Sequence, residues 1–308
     1  MGWNAVGTSR FYVDHGLWLN SVGKFTPNSG VASLIHLNPS NIISMPHYSV
    51  GLYIPRYAEM NYMAFLGHSG GTMYPGWKDA NDTDVNPGIT SDINGQGYTG
   101  DDSVQYNGFS IFYITDQPDT TDYKLLAYMD EGATVGAISA GYVYSMPHSP
   151  DLKLSISYET GTKTIETRGG ASLSNTMWRP PMWGDNLAAW ELSIPNTTPT
   201  QKLAHSSRRI WDLTFSYLDK TNTFPKYNAL NTLVSDPNAS EPLQYTLQES
   251  DDFFSMVWNR TTTQNRFIFQ PDQDVDEFAI CKFDMNGIKF SLVANQVYTI
   301  KLKIREVW

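Results

Sequence analysis

The stretch Arg209-Ile-Trp-Asp-Leu-Thr-Phe-Ser-Tyr-Leu218 decides the fold class. Ile210, Asp212, Thr214 and Ser216 fall on one side of an extended chain, and Trp211, Leu213, Phe215 and Tyr217 on the other. A period of two with one apolar side predicts a β-strand with one wet face. Toward the C-terminus, Tyr298, Ile300, Leu302 and Ile304 alternate in the same way with Thr299, Lys301, Lys303 and Arg305. Phe267-Ile-Phe269 and Phe278-Ala-Ile-Cys-Lys-Phe283 lie between and also read as strands. Toward the N-terminus, Leu152 to Tyr158 alternates, Glu159 to Lys163 reads as a turn, and Thr164 to Arg168 as the returning arm. Phe109 to Ile114 is aromatic and β-branched, and Ala137 to Tyr144 is a β-rich run interrupted by Gly141. One segment reads as a helix, near residues 251–259. Ser250 is a candidate cap, Asp251 and Asp252 suit a helix start, and Phe253, Phe254, Val257 and Trp258 form one apolar face. The predicted fold is mostly β with one short helix.

The length of 308 residues corresponds to about two domains. Twenty-one Lys and Arg against 31 Asp and Glu give a net charge of −10. An acidic chain lacks the basic face that phosphate recognition needs, which argues against direct nucleic-acid recognition. Charged residues make up 17%, low for a globular chain, while aromatics reach 13%, a composition opposite to that of disorder. The single cysteine, Cys281, excludes an intrachain disulfide. No charged, then apolar, leader is read at the N-terminus. The uncharged run from Phe25 to Pro55 is broken by Pro27, Pro39 and Pro46, and that from Gly132 to Pro150 by Gly136, Gly141 and Pro147. Neither is read as a membrane span.

Loop-like composition extends over 70–108, 175–207 and 220–243, lengths that point to function or to partners. The sequence contains no G-x-S-x-G, no P-loop and no dinucleotide fingerprint, so no catalytic or cofactor-binding residues are assigned. His15, His36, His47, His68, His148 and His205 form no H-x-H or H-x-x-x-H pair, and no metal site is assigned. The crowded Asp79, Asn81, Asp82, Asp84 and Asn86 fail the calcium-loop pattern and read as a solvated polar loop. Asp251 and Asp252 read as a helix start rather than paired catalytic acids. Tyr74, Trp77 and Tyr98, in the longest loop, are candidates for stacking on a sugar ring, with loop packing as the alternative.

The C-terminal half carries an ordered set of segments. These are Thr167-Arg-Gly-Gly-Ala-Ser172, Arg208-Arg-Ile-Trp-Asp-Leu-Thr-Phe-Ser216 and Asp252-Phe-Phe-Ser-Met-Val-Trp258. Then follow Arg266-Phe-Ile-Phe-Gln-Pro-Asp272, Phe278-Ala-Ile-Cys-Lys282 and the ending Tyr298 to Trp308. In this order they resemble the belt domain of distal tail and related tail-tip proteins of tailed bacteriophages. The N-terminal half, with Tyr62-Met-Ala-Phe-Leu-Gly-His68 and Ile138 to Pro147, is similar to jelly-roll or galactose-binding-like modules of tail proteins. Here the module precedes the belt, whereas distal tail proteins carry the belt first.

The resemblance implies two β-sandwich domains, a jelly-roll-like one at 1–155 and a belt-like one with the helix at 156–308. It implies a non-enzymatic virion component, made in the bacterial host cytoplasm, that assembles a homo-oligomeric ring of six. The ring would join the tail tube to the hub or fibres of a tail tip or baseplate. The residues carrying the assembly-domain motif are Arg208, Arg209, Trp211, Phe253, Phe254, Trp258, Phe267, Phe269, Pro271 and Asp272. The rival readings are a carbohydrate-binding host-adhesion protein that takes a surface glycan, an adaptor or neck-region ring protein, and a glycoside hydrolase.

Overall fold

A computed structural model of the chain describes residues 7–23, 26, 32–37, 43–44, 49–55, 60–68, 73–78, 84–85, 89–91, 109–114, 124–129, 131–159, 162–176, 182–183, 187–188, 208–224, 251–275 and 278–307. It is mostly β, with antiparallel sheets and few short helices. In the N-terminal half the strands are β1 (Arg10–Asp14), β2 (Ile43–Ser44), β3 (Ser49–Pro55), β4 (Tyr62–Leu66), β5 (Met73–Lys78) and β6 (Asp84–Val85). They continue as β7 (Ile89–Ser91), β8 (Phe109–Ile114), β9 (Lys124–Met129), β10 (Thr134–Val135) and β11 (Ala137–Ser145). In the C-terminal half they are β12 (Ser155–Glu159), β13 (Thr162–Glu166), β14 (Ser172–Thr176), β15 (Met182–Trp183) and β16 (Leu187–Ala188). The last are β17 (Arg208–Asp219), β18 (Phe267–Gln270), β19 (Ala279–Phe283), β20 (Phe290–Ala294) and β21 (Val297–Glu306).

One sheet runs β12-β17-β21-β19-β18-β1-β11-β4-β8-β7, with β20 also paired to β21. A four-stranded sheet, β3-β9-β5-β6, packs beside it. The inner strands of the long sheet are buried on both faces, so alternation sorts their side chains between cores rather than between core and water. Met63 and Phe65 of β4 join one core with Trp77, Leu125 and Ala127 of the smaller sheet. Phe11, Phe267, Phe269, Trp211 and Ile304 build a second. A third takes the opposite side chains, Tyr12, Tyr62, Ile268, Phe278 and Ile280. The first core therefore stays within the N-terminal half of the chain, while the second and third draw on both. The pairing of β1 with β18, Phe11 opposite Phe269 and Tyr12 opposite Ile268, makes the sheet continuous across the expected boundary at 155.

Gly141 sits where this continuity is tightest. A Cβ there would lie 2.1 Å from the Val13 carbonyl oxygen, so only glycine lets β1 and β11 approach this closely.

The structure departs from the sequence pattern at four places. Tyr217, expected inward, is exposed, and Leu218 is buried in its stead. A bulge between Phe215 and Leu218 adds one residue and reverses the faces, with Tyr217 at φ 60°. The arm after the turn at 159–163 does not return on β12; β13 pairs with β14 instead, as a separate two-stranded ribbon. The expected helix contains a π-helical turn, Phe254–Trp258, continued by Asn259–Thr261. Asp252 caps it, the Ser255 N–H donating to Asp252 Oδ1 at 2.9 Å, while the candidate cap Ser250 lies outside the described residues. The wider turn buries Phe253, Met256 and Val257 and leaves Phe254 and Trp258 half-buried. A further helix, α1 (His15–Ser21), was not anticipated; Asp14 Oδ1 accepts from the Leu17 N–H at 2.7 Å and starts it.

Candidate functional site

The motif residues of the C-terminal half converge on one core. Alternation along β17 sends Arg209, Trp211, Leu213 and Phe215 inward. The edge of Trp211 packs on Phe269, Phe253 meets Phe11 edge-on, and Phe267 lies 4.8 Å from Phe283, centroid to centroid. Half-buried Trp258 packs on Phe283 and Phe254 approaches Phe290. Pro271 is buried, and its carbonyl accepts from the Ser9 hydroxyl at 3.0 Å. Asp272 closes the turn after β18, its Oδ1 accepting from the Asp274 N–H. These side chains build the scaffold and present little to a neighbour.

Arg209 is the exception in chemistry, though not in burial. Its Nε and Nη2 donate to the two carboxylate oxygens of Glu306, each at 3.0 Å, and the Arg209 backbone N–H donates to the same carboxylate. The two side chains are 1% and 0% exposed. This fork locks β17 to the last residue of β21 in a dry interior. Arg208, next in sequence, is half-buried, and burial lowers its pKa.

The other candidates do not share a surface. Trp77 is 1% exposed and packs in the first core, so it presents no face to a sugar. Tyr74 stacks on Tyr128 at 4.8 Å. Tyr98 lies outside the described residues, as do Asp79, Asn81, Asp82 and Asn86; Asp84 lies in β6. The sugar platform expected from Tyr74, Trp77 and Tyr98 is thus corrected at Trp77, because the indole is needed to fill the space between the sheets. Among the described residues no three His, Cys, Asp or Glu groups cluster as metal ligands would.

Buried polar groups serve the interior. The Tyr62 and Ser139 hydroxyls lie 2.8 Å apart, and burial pushes the Asp14 carboxyl up to about 7. Burial lowers the His15 pKa, aided by the neighbouring Arg260 guanidinium, which also lies over the Trp18 ring. His68 contacts the Ser110 hydroxyl, and burial brings its pKa down to about 4. These residues are buried and hold strands or α1 in place.

What the described residues present is strand edge and scattered apolar surface. Residues 162–166 and 171–175 of the β13–β14 ribbon are exposed throughout. Ile165 (67% exposed) sits directly across from Leu173 (61%). A lone two-stranded ribbon is marginal in water, so this one profits from a neighbour. Tyr217 is 80% exposed, and Leu292 and Val293 are exposed on β20, which among the described residues pairs with β21 alone. Unpaired edges of this kind are pairing sites. Sequence reasoning missed Tyr217 because a bulge leaves no local signature. The ribbon's signal was present, in two arms half made of Thr and Ser with isolated Ile165 and Leu173. No protein-family model, no curated protein and no solved structure matches this chain.

Proposed function

We propose that this chain is a structural subunit of a tailed-bacteriophage virion. It forms an oligomeric ring at the distal tail or tail tip that joins the tail tube to the hub or fibres. The observation that carries the reading is the ordered C-terminal set of strand, helix, F-x-F-x-P-D strand and two closing strands. The exposed ribbon and the edge of β20 that no other described strand covers support it, since a ring subunit keeps unpaired β-edges and apolar side chains for its neighbours. Low charge and abundant aromatics suit extensive interfaces. The sugar-binding alternative has lost Trp77 from its proposed platform.

The test is the mass of the purified protein by light scattering across a concentration series, with negative-stain images of the peak. A closed ring of six or a simple multiple is expected. A strict monomer at high concentration, together with absence of the protein from purified virions, overturns the reading.

A further inference from the structure

Independently of the ring reading, we infer that the wet face of β12, β17, β21 and β19 docks an extended, acidic and partly apolar polypeptide segment of a partner protein. Register fixes which side chains share this face, because residues directly opposite in an antiparallel pair point to the same side. One row holds Glu159 and Arg208, and the next Ser157, Ile210, Arg305 and Lys282. Then follow Ser155, Asp212 and Lys303, and finally Thr214 and Lys301. The alternate residues Trp211, Leu213, Leu302 and Ile304 fill the second core on the other side. A groove of about 600 Å³ opens on the wet face, between the segment Lys153–Ser155 and Met285, over Asp212–Thr214 and Lys301–Lys303.

The charge of this face runs against that of the chain. Lys153, Arg208, Lys282, Lys301, Lys303 and Arg305 stand against the carboxylates of Asp151, Glu159, Asp212 and Asp284, in a protein of net charge −10. Three of those carboxylates are already engaged. Asp284 pairs with Lys303 at 3.0 Å, Glu159 pairs with Arg305, and Asp151 accepts from the Ser216 hydroxyl at 2.7 Å. Lys153, Lys282 and Lys301 pair with no acid among the described residues. Charges more than about 8 Å away are largely screened at physiological salt, so the local excess governs a contact here. The chemistry of the occupant follows from two features. Lys301, Lys303 and Arg305 recur at every second residue of β21, a step of about 7 Å. An extended polypeptide repeats its side chains at the same step, so acids at alternate positions meet all three cations in register. Leu154, Met285 and the lysine stems give the groove apolar walls, which suit the aliphatic part of Glu and interspersed apolar side chains. A phosphodiester or sugar-acid chain has no apolar side chains to set against those walls.

The experiment uses the full chain and a fluorescent synthetic peptide with Glu at alternate positions and Leu, Thr and Ser between them. Oligothymidylate and oligogalacturonate of equal charge are the competing probes. Two variants carry the same change in net charge: Lys153→Glu/Lys301→Glu on the groove, and Lys163→Glu/Arg168→Glu on the β13–β14 ribbon. All four side chains are exposed, and circular dichroism and thermal melts verify that both variants fold. Binding is read by fluorescence anisotropy at about 50 mM and about 500 mM salt, a range over which screening of exposed charges goes from weak to nearly complete. The expected result is peptide binding that salt weakens, that falls at least ~10-fold in the groove variant, and that the ribbon variant keeps. A wild type that binds no peptide up to about 1 mM at low salt overturns the assignment. Equal loss in both variants overturns it too, since overall charge then governs. Tighter binding of oligothymidylate or oligogalacturonate than of the peptide, lost in the groove variant, overturns it in favour of that polyanion.

Discussion

Replacing Glu306 by Gln tests the buried lock between β17 and β21. The substitution keeps shape and volume but leaves the Arg209 guanidinium, 1% exposed, without its counter-charge. Breaking one side of a fully buried pair costs about 3–5 kcal/mol, because the remaining charge is uncompensated in a dry site. Over 308 residues, an unfolding entropy of about 2.1 cal/mol/K per residue gives about 0.65 kcal/mol/K. A loss of about 4 kcal/mol then lowers the melting midpoint by about 6 °C. Arg209→Met should cost a similar amount, since it strands the Glu306 carboxylate. The Arg209→Met/Glu306→Leu pair should recover most of the loss, to within about 1 kcal/mol of the starting protein, because no buried charge then remains. The assay is urea unfolding of all four proteins, read as a double-mutant cycle. Two results refute the reasoning: a single substitution that costs less than about 1 kcal/mol, as at a solvated surface pair, or a double variant as unstable as the sum of the singles.

Three further outcomes follow from the interior. Asp14, whose carboxyl is raised from 3.8 to about 7, stays protonated in the folded chain while the unfolded chain ionises. Stability contributed by this group should therefore fall as pH rises from about 4 to about 7, by about 4 kcal/mol in all. Asp14→Asn keeps an oxygen to accept from the Leu17 N–H and should flatten that part of the stability–pH curve. Gly141→Ala should disrupt the β1–β11 pairing, since the added Cβ meets backbone at 2.1 Å that cannot swing aside; the readout is loss of soluble yield and of the cooperative melt. Trp77→Ala should destabilise by about 3–5 kcal/mol in a thermal melt, as expected for emptying a core site, and a fully stable variant would return this indole to the surface.

Much of the scaffold was legible locally. Alternation placed Trp211, Leu213 and Phe215 inward and set Ile300, Leu302 and Ile304 apart from Lys301 and Lys303, as the structure has them. The aromatic and apolar runs Phe267–Phe269 and Phe278–Phe283 read as strands, and β18 and β19 lie there. The candidate sites were less legible. Trp77 looked loop-borne because its neighbours are Gly, Pro and Asp, and its burial comes from packing between two sheets. Most of the motif aromatics share one core, and a hydrophobic pattern does not say whether a ring fills a core or meets a partner.

What the sequence determined by itself is the class of element at most positions, because a strand's period of two is a property of a few consecutive residues. What only the tertiary structure decided is which edges meet. β1 pairs with β18 some 258 residues away, Arg209 finds Glu306 across 97 residues, and β13 turns to β14 instead of back to β12. A single-residue bulge then sends Tyr217 to solvent and Leu218 inward. Side-chain direction follows from local backbone geometry. Pairing, register and burial of charge follow from the free energy of the whole assembled sheet, to which residues far apart in the chain contribute together.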